Sequence, residues 1–386
     1  MASRHPSLPL TYGLGRLITT IGNWAFKRER YSSDLNRYHG RVLASYTAHL
    51  DRPRFTVEVP GSPPIYTPQG FPYKLDDDHK LASHLETSPI ATFPTRPSGL
   101  EWSLRASRFT SPHLNLSDLD IITNATNLNF LLSFFNPSKD LLPMRLHAEL
   151  HGTKTLLLNP WFGHDIRIPY IISRPRAYGI TFEGHNTHST NGAHPMLSHH
   201  TRMVGYKLGG LQFAVARQID AVVPQWNGPI VFPRALKRET PLMAKHDEFT
   251  LIHTGGQPVS GTVAEMKTAA SLTHMDEERM EQWKKYIATA WFSYIPNIIC
   301  GVYDGEGYFV RHDMIDMKTV GREWVKQNRE TLQKVLVFLQ MMREEVQRSG
   351  VRRLAFVRSP GEQFWKVYEL DGTNLRMVPE DVARMF

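Results

Sequence analysis

The stretch Val263-Ala264-Glu265-Met266-Lys267-Thr268 sets an acid and a lysine two residues apart in a run that suits the end of a strand. Strand side chains alternate between faces, so Glu265 and Lys267 point one way and Met266 the other. A carboxylate holds a hard cation through oxygen. A lysine beside it orients a water or offsets the negative charge that grows on a phosphate in transfer. Glu-x-Lys alone is a weak signal, because most such pairs are solvated strand faces. Its weight comes from what lies upstream.

Residues 211–223, LQFAVARQIDAVV, read as one strand. Phe213, Val215, Arg217 and Ile219 fall on one face, and Ala214, Ala216, Gln218 and Asp220 on the other, so Gln218 and Asp220 share a side at its end. Further back, Tyr178-Gly179-Ile180-Thr181-Phe182-Glu183 places another carboxylate after a glycine and an aromatic. Glu183, Asp220 and Glu265, on three separate segments with a lysine after the last, are the parts of a metal-dependent phosphodiesterase site. Spacing alone equally allows three ordinary surface acids.

Taken in order, Gly179-Ile180-Thr181-Phe182-Glu183, Gln218-Ile219-Asp220, Glu265-Met266-Lys267-Thr268 and Ile295-Pro296-Asn297-Ile298-Ile299-Cys300-Gly301 resemble the eukaryotic decapping exoribonuclease family, which removes incomplete and NAD caps from RNA 5′ ends. That family's signature is Gly-x-x-x-Glu, Glu-x-Asp and Glu-x-Lys, then a helix running into a Pro-Asn-Ile strand. The resemblance runs from about Leu119 to Leu370. Two departures stand out. Gln218 replaces the first acid of Glu-x-Asp, and Ala125 stands where the family has an arginine. The glutamine expected before the Pro-Asn-Ile strand falls near Thr289.

The resemblance implies one mixed α/β domain over residues 31–386: two twisted mixed sheets flanked by helices, with a restriction-nuclease-like metal core in the cleft. It implies Mg²⁺ or Mn²⁺ held by Glu183, Asp220, Glu265 and the Met266 carbonyl. Asp220, Glu265 and Lys267 form the catalytic set, with Lys267 placing the water or stabilising charge on phosphorus. Gln218, Thr289, Lys284 and Lys285 are substrate-binding candidates. The implied ligand is an RNA 5′ end, in the nucleus or cytoplasm, with a 5′-to-3′ exoribonuclease as a partner. The Gln218 departure keeps a second class open: a 5′-end-binding protein with little or no turnover that supports such a partner. A DNA nuclease on the same core is a third.

Composition bounds these readings. With 386 residues, 41% hydrophobic and 19 Phe, the chain has ample material for a core, as one large domain or two ordinary ones. A net charge of +8 and a pI near 9.4 favour an acidic partner. The single Cys300 excludes an intramolecular disulfide framework and, in an apolar run, reads as a buried small hydrophobe. No apolar run approaches the roughly 18 residues of a membrane span. His185, His188, His194, His199 and His200 match no zinc spacing and read as a solvated loop. Residues 1–28 lack acids and carry Arg4, Arg16, Lys27 and Arg28. There Leu14, Leu17, Ile18, Ile21 and Trp24 suit an amphipathic turn, so residues 1–30 fit either a mitochondrial address or a disordered basic arm on RNA phosphates.

Periodicity places strands at 54–59, 249–253 and 296–302, and hairpins at 144–150 with 153–158 and at 352–357 with 364–370. Residues 29–105 read as loops and short strands, with 60–72 rich in proline and glycine. Helices are expected at 127–135, ended by Pro137, at 277–290 with Trp283, Tyr286, Ile287 and Ala290 on one face, and at 318–348 as the longest.

Overall fold

A computed structural model describes residues 9–22, 34–49, 55–80, 99–135, 144–161, 177–189, 198–224, 242–245, 249–254, 261–270, 277–371 and 376–386. The larger sheet is built from β1 (Leu14–Gly22), β2 (Tyr38–His49), β3 (Phe55–Val59), β6 (Ile121–Asn124), β7 (Met144–His151), β8 (Thr155–Pro160), β10 (Ser198–Leu208), β11 (Leu211–Gln218), β13 (Leu242–Lys245), β14 (Phe249–His253), β18 (Arg353–Arg358) and β19 (Phe364–Leu370). The smaller is built from β4 (Ile65–Tyr66), β5 (Tyr73–Lys74), β9 (Thr187–His188), β12 (Ala221–Val223), β15 (Thr262–Ala269), β16 (Asn297–Tyr303) and β17 (Tyr308–Asp316). Their orders are β1-β19-β18-β7-β8-β6-β11-β10-β2-β3-β14-β13 and β5-β17-β16-β15-β12-β4-β9, each with parallel and antiparallel pairs. The helices are α1 (Gly99–Thr110), α2 (Ala125–Phe135), α3 (Gly179–His185), α4 (Glu277–Phe292), α5 (Met317–Gln327), α6 (Arg329–Ser349) and α7 (Glu380–Ala383). Two mixed sheets flanked by helices are what the motifs implied.

Alternation decides which face meets which layer. Phe213 and Val215 of β11 enter the main core with Leu131 of α2, Ile287 and Trp291 of α4, and Phe338 and Leu339 of α6. Ala214 and Ala216 turn to the opposite face, where they meet Leu100 and Leu104 of α1. The smaller sheet gives Ile298 to the main core and Ala264, Met266 and Ile299 to an outer layer closed by Phe182 of α3. Gly209 and Gly210, with φ of 58° and 90°, supply the two left-handed positions that a tight β10–β11 hairpin needs.

Several expectations are corrected. Residues 211–223 are not one strand. β11 ends at Gln218, Ile219 donates its N–H to the His200 carbonyl (2.8 Å), and β12 then pairs in the smaller sheet with β15 and β4. The chain changes sheets at Ile219–Asp220, so Gln218 and Asp220 do not share a strand face. The helix expected at 318–348 breaks at Asn328, whose φ of −107° and ψ of 18° end α5 while its amide donates to the Trp324 carbonyl at 2.8 Å. The break lets α5 lay Trp324 on Trp291 of α4 while α6 continues along the larger sheet. The stripe at Leu14, Leu17, Ile18 and Ile21 forms a strand, β1, because β19 presents an edge that it completes antiparallel. β4, one of the short strands expected over residues 29–105, lies inside the smaller sheet between β12 and β9. Helix α2 starts at Ala125, two residues before its expected start, because Asn124 caps it by accepting the Asn127 N–H at 2.9 Å. Arg4, Trp24, Lys27, Arg28, Pro137 and His194 lie outside the described residues. Among the described residues no helix is long and apolar enough to cross a membrane.

Candidate active site

The sheet change at Ile219–Asp220 creates the site. Pairing of Ala221 with Ala264 sets Asp220 beside β15. Asp220 Oδ2 accepts the Met266 backbone N–H at 2.8 Å and lies 3.1 Å from Lys267 Nζ. The same ammonium is 2.9 Å from Glu265 Oε1 and 2.5 Å from the Met266 carbonyl. Glu265 Oε1 also accepts from Arg217, which reaches across from the larger sheet. Glu265 has no exposed surface, and its other oxygen, Oε2, has no hydrogen-bond partner.

Glu183 arrives on α3, not on a strand. Asp78 fixes that helix by accepting the N–H groups of Ile180 and Thr181 at 3.2 and 2.9 Å, where an acid is favourable at a helix start. Phe182 packs against Gly301 of β16, where a Cβ would be 2.3 Å from the ring. Gly301→Ala is therefore expected to push Phe182, and with it Glu183, off the sheet. The cost is about 1–3 kcal/mol of unfolding free energy, as for overpacking elsewhere, and urea denaturation measures it. An unchanged midpoint and slope would show that Gly301 does not seat α3.

The charges do not balance. Three carboxyls, Glu183, Asp220 and Glu265, face one ammonium and one guanidinium. Burial, then the neighbouring Asp220, pushes the Glu183 carboxyl well above the usual range. Burial and Glu265 raise Asp220 in the same way. Burial also works against ionised Glu265, but Arg217 and Lys267 outweigh it and bring that acid to about 2. Glu265 thus stays ionised, and the excess negative charge falls on the other two.

This donor set fits a cation. Two carboxylates and a backbone carbonyl already converge on one positive centre, the Lys267 ammonium, which serves as a stand-in ion. The orphaned Glu265 Oε2 and the excess acid at Glu183 supply further oxygen and charge. Among the described residues, no three His, Cys, Asp or Glu side chains are grouped to hold a metal. Lys267 and Arg217 hold Glu265 Oε1, and Lys267 also holds Asp220 Oδ2, which leaves Glu265 Oε2 free.

Among the described residues, the other candidates make none of these contacts. Gln218 is exposed at the end of β11. Thr289 is buried, with its hydroxyl donating to the Lys285 carbonyl (2.8 Å) and meeting Asn129 (3.0 Å), so it faces the helix packing. Lys284 is exposed and pairs with Glu281, while Lys285 is half-buried. Ala125 is fully buried at the start of α2. His200 is buried against Ser45 and Thr47, whereas His185 is exposed and packs on Tyr73. Sequence reasoning missed Arg217, Asp78 and Tyr286, whose ring carries the Lys267 ammonium 5.4 Å above it. Arg217 left a readable signal, since a charge among Phe213, Val215 and Ile219 on a buried face requires a partner.

The chain belongs to the family defined by a domain of unknown function, DUF8563, whose model matches residues 32–386. No curated protein matches it. Among solved structures, Scheffersomyces stipitis Rai1 in complex with (3′-NADP)⁺ and calcium is similar at 13% identity and a TM-score of 0.61, over 96% of this chain and 98% of that one. Candida albicans Rai1 in complex with pU5 and Mn²⁺ is similar at 11% and 0.57, over 92% and 96%. K. lactis Dxo1 in complex with manganese is similar at 9% and 0.53, over 93% and 98%. These neighbours are members of the decapping exonuclease family that the motifs resemble. At such identities the likeness establishes the fold.

Proposed function

We propose that the protein is a metal-dependent hydrolase acting on RNA 5′ ends, removing incomplete or noncanonical caps. The observation that carries this is the meeting of Asp220, Glu265 and Lys267, drawn from the sheet crossing and from β15, beside Glu183 of α3. The fold supports it, because it is shared with proteins whose structures hold Mn²⁺ or calcium together with pU5 or a dinucleotide. Glu183, Asp220, Glu265 and the Met266 carbonyl would hold Mg²⁺ or Mn²⁺. When bound, the ion lowers the pKa of a water and polarises the scissile phosphate. Arg217 keeps Glu265 ionised, the Met266 N–H fixes the Asp220 carboxylate, and Lys267 supplies positive charge where negative charge grows on the phosphate.

Two observations favour a second reading, a 5′-end-binding protein that supports a partner exoribonuclease. Lys267 and Arg217 already neutralise the two best-placed carboxylates, and Gln218 brings no charge. Purified protein is to be assayed on 5′-triphosphate, unmethylated-cap, NAD-capped and 5′-monophosphate RNAs, with Mn²⁺ and with EDTA. Mn²⁺-dependent release of a 5′ product is the expected result. Tight binding of the same RNAs with no product under either condition would replace the hydrolase by the binding protein.

A further inference from the structure

Where the two sheets part, a cavity of about 300 Å³ opens beside the acid cluster. Arg41 of β2 and Arg202 of β10 line it, with Ile219, Thr262, Val263 and Tyr294. No carboxylate is among its lining residues, and among the described residues neither arginine forms an ion pair. Arg202 is unusual. Its cross-strand neighbour is another arginine, Arg217, whose charge is committed to Glu265. The Arg202 Nε is buried and lacks any hydrogen-bond partner. A half-buried guanidinium with no acid paired to it gains from an anion that meets its terminal nitrogens.

Two further features mark the cavity as built. Tyr294 stands in its wall at φ 59°, a backbone state that bulky side chains rarely adopt. Its ring is clamped between Gly40, where a Cβ would be 2.3 Å away, and the Arg37 guanidinium at 4.5 Å. The cavity also adjoins the chemistry. Val263 is the neighbour of Glu265 on the same strand face, about 7 Å along, and Ile219 directly precedes Asp220.

We propose that this cavity is a phosphate subsite, in which Arg41 and Arg202 grip a phosphate of the nucleic-acid strand next to the one presented to the acid cluster. Guanidinium forks match phosphate oxygens in pairs, which suits this task. The subsite rests on the reading of the protein as acting on nucleic acid. It deepens that reading by saying how the strand is held.

The test uses the full chain in EDTA, so that binding is read without turnover. Affinity for a 5′-phosphorylated five-nucleotide RNA is measured by fluorescence anisotropy over a salt series, with pyrophosphate as competitor. Arg41→Ala and Arg202→Met are each expected to weaken binding at least tenfold. Each should also flatten the slope of log affinity against log salt by about 0.7, while Lys334→Ala on α6 changes neither. Arg41 is exposed, so its variant reports even where Arg202→Met disturbs folding. Wild-type affinity and slope in both arginine variants would overturn the subsite, even in a chain that cleaves RNA. Loss of binding in both, in a chain that never cleaves, would remove the hydrolase reading and leave the subsite standing.

Discussion

Replacing Lys267 with methionine is expected to lower the unfolding free energy, measured in EDTA, by about 3 kcal/mol, the low end for breaking a buried ion pair. The ammonium touches Asp220, Glu265 and the Met266 carbonyl at once, and its side chain is only 16% exposed. Methionine fills the volume and removes the charge, so the effect is electrostatic and not a cavity. The loss stays at the low end because Arg217 still holds Glu265 and the Met266 N–H still holds Asp220. The same variant should gain more stability from Mn²⁺ than the wild type, since the ion no longer competes with an internal cation. Saturation at 100 times the dissociation constant restores about 2.7 kcal/mol. Denaturation of both proteins with and without Mn²⁺ gives the four numbers needed. Equal stability in EDTA, or no differential gain from Mn²⁺, would mean that the ammonium does not stand in for a metal.

How much of this was legible in the sequence depends on the range of the contacts involved. The alternation along β15 was readable, and it correctly set Glu265 and Lys267 on one face with Met266 on the other, because each strand residue reports its own environment. The hairpin of β18 and β19 and the buried strand β16 were readable for the same reason. The crossing at Ile219–Asp220 was not. The period-2 pattern runs through it without interruption, since both sheets bury their strands and the pattern does not record which sheet a residue joins. Glu183 was found through its motif, but its route into the site depends on Phe182 meeting Gly301 far along the chain. The break at Asn328 was hidden by an apolar stripe that stays in phase across it, from Trp324 to Leu332 and Val335. Arg217 could have been found. An arginine on the apolar face of a strand carries its own demand for a buried acid.

Glu265→Gln carries the largest expected effect on activity, a loss of Mn²⁺-dependent turnover on the order of 10²–10³, as for removing a single electrostatic contact of a reaction site. The amide keeps the shape but takes away the acid that Lys267 and Arg217 hold ionised near 2. Those two cations are then left short of a partner, so the protein also loses stability. RNA binding in EDTA must therefore be measured on the same preparation to show that the loss is chemical. Gln218→Glu tests the opposite change. Gln218 is exposed at the end of β11, two residues before Asp220, so a carboxylate there enters with little desolvation cost and adds negative charge beside the crossing. Mn²⁺ affinity is expected to rise about tenfold, equivalent to about 1.4 kcal/mol, with turnover rising alongside it. A variant that binds Mn²⁺ no better than the wild type would show that the amide is not what limits the site, and that the internal cations Lys267 and Arg217 set its affinity instead.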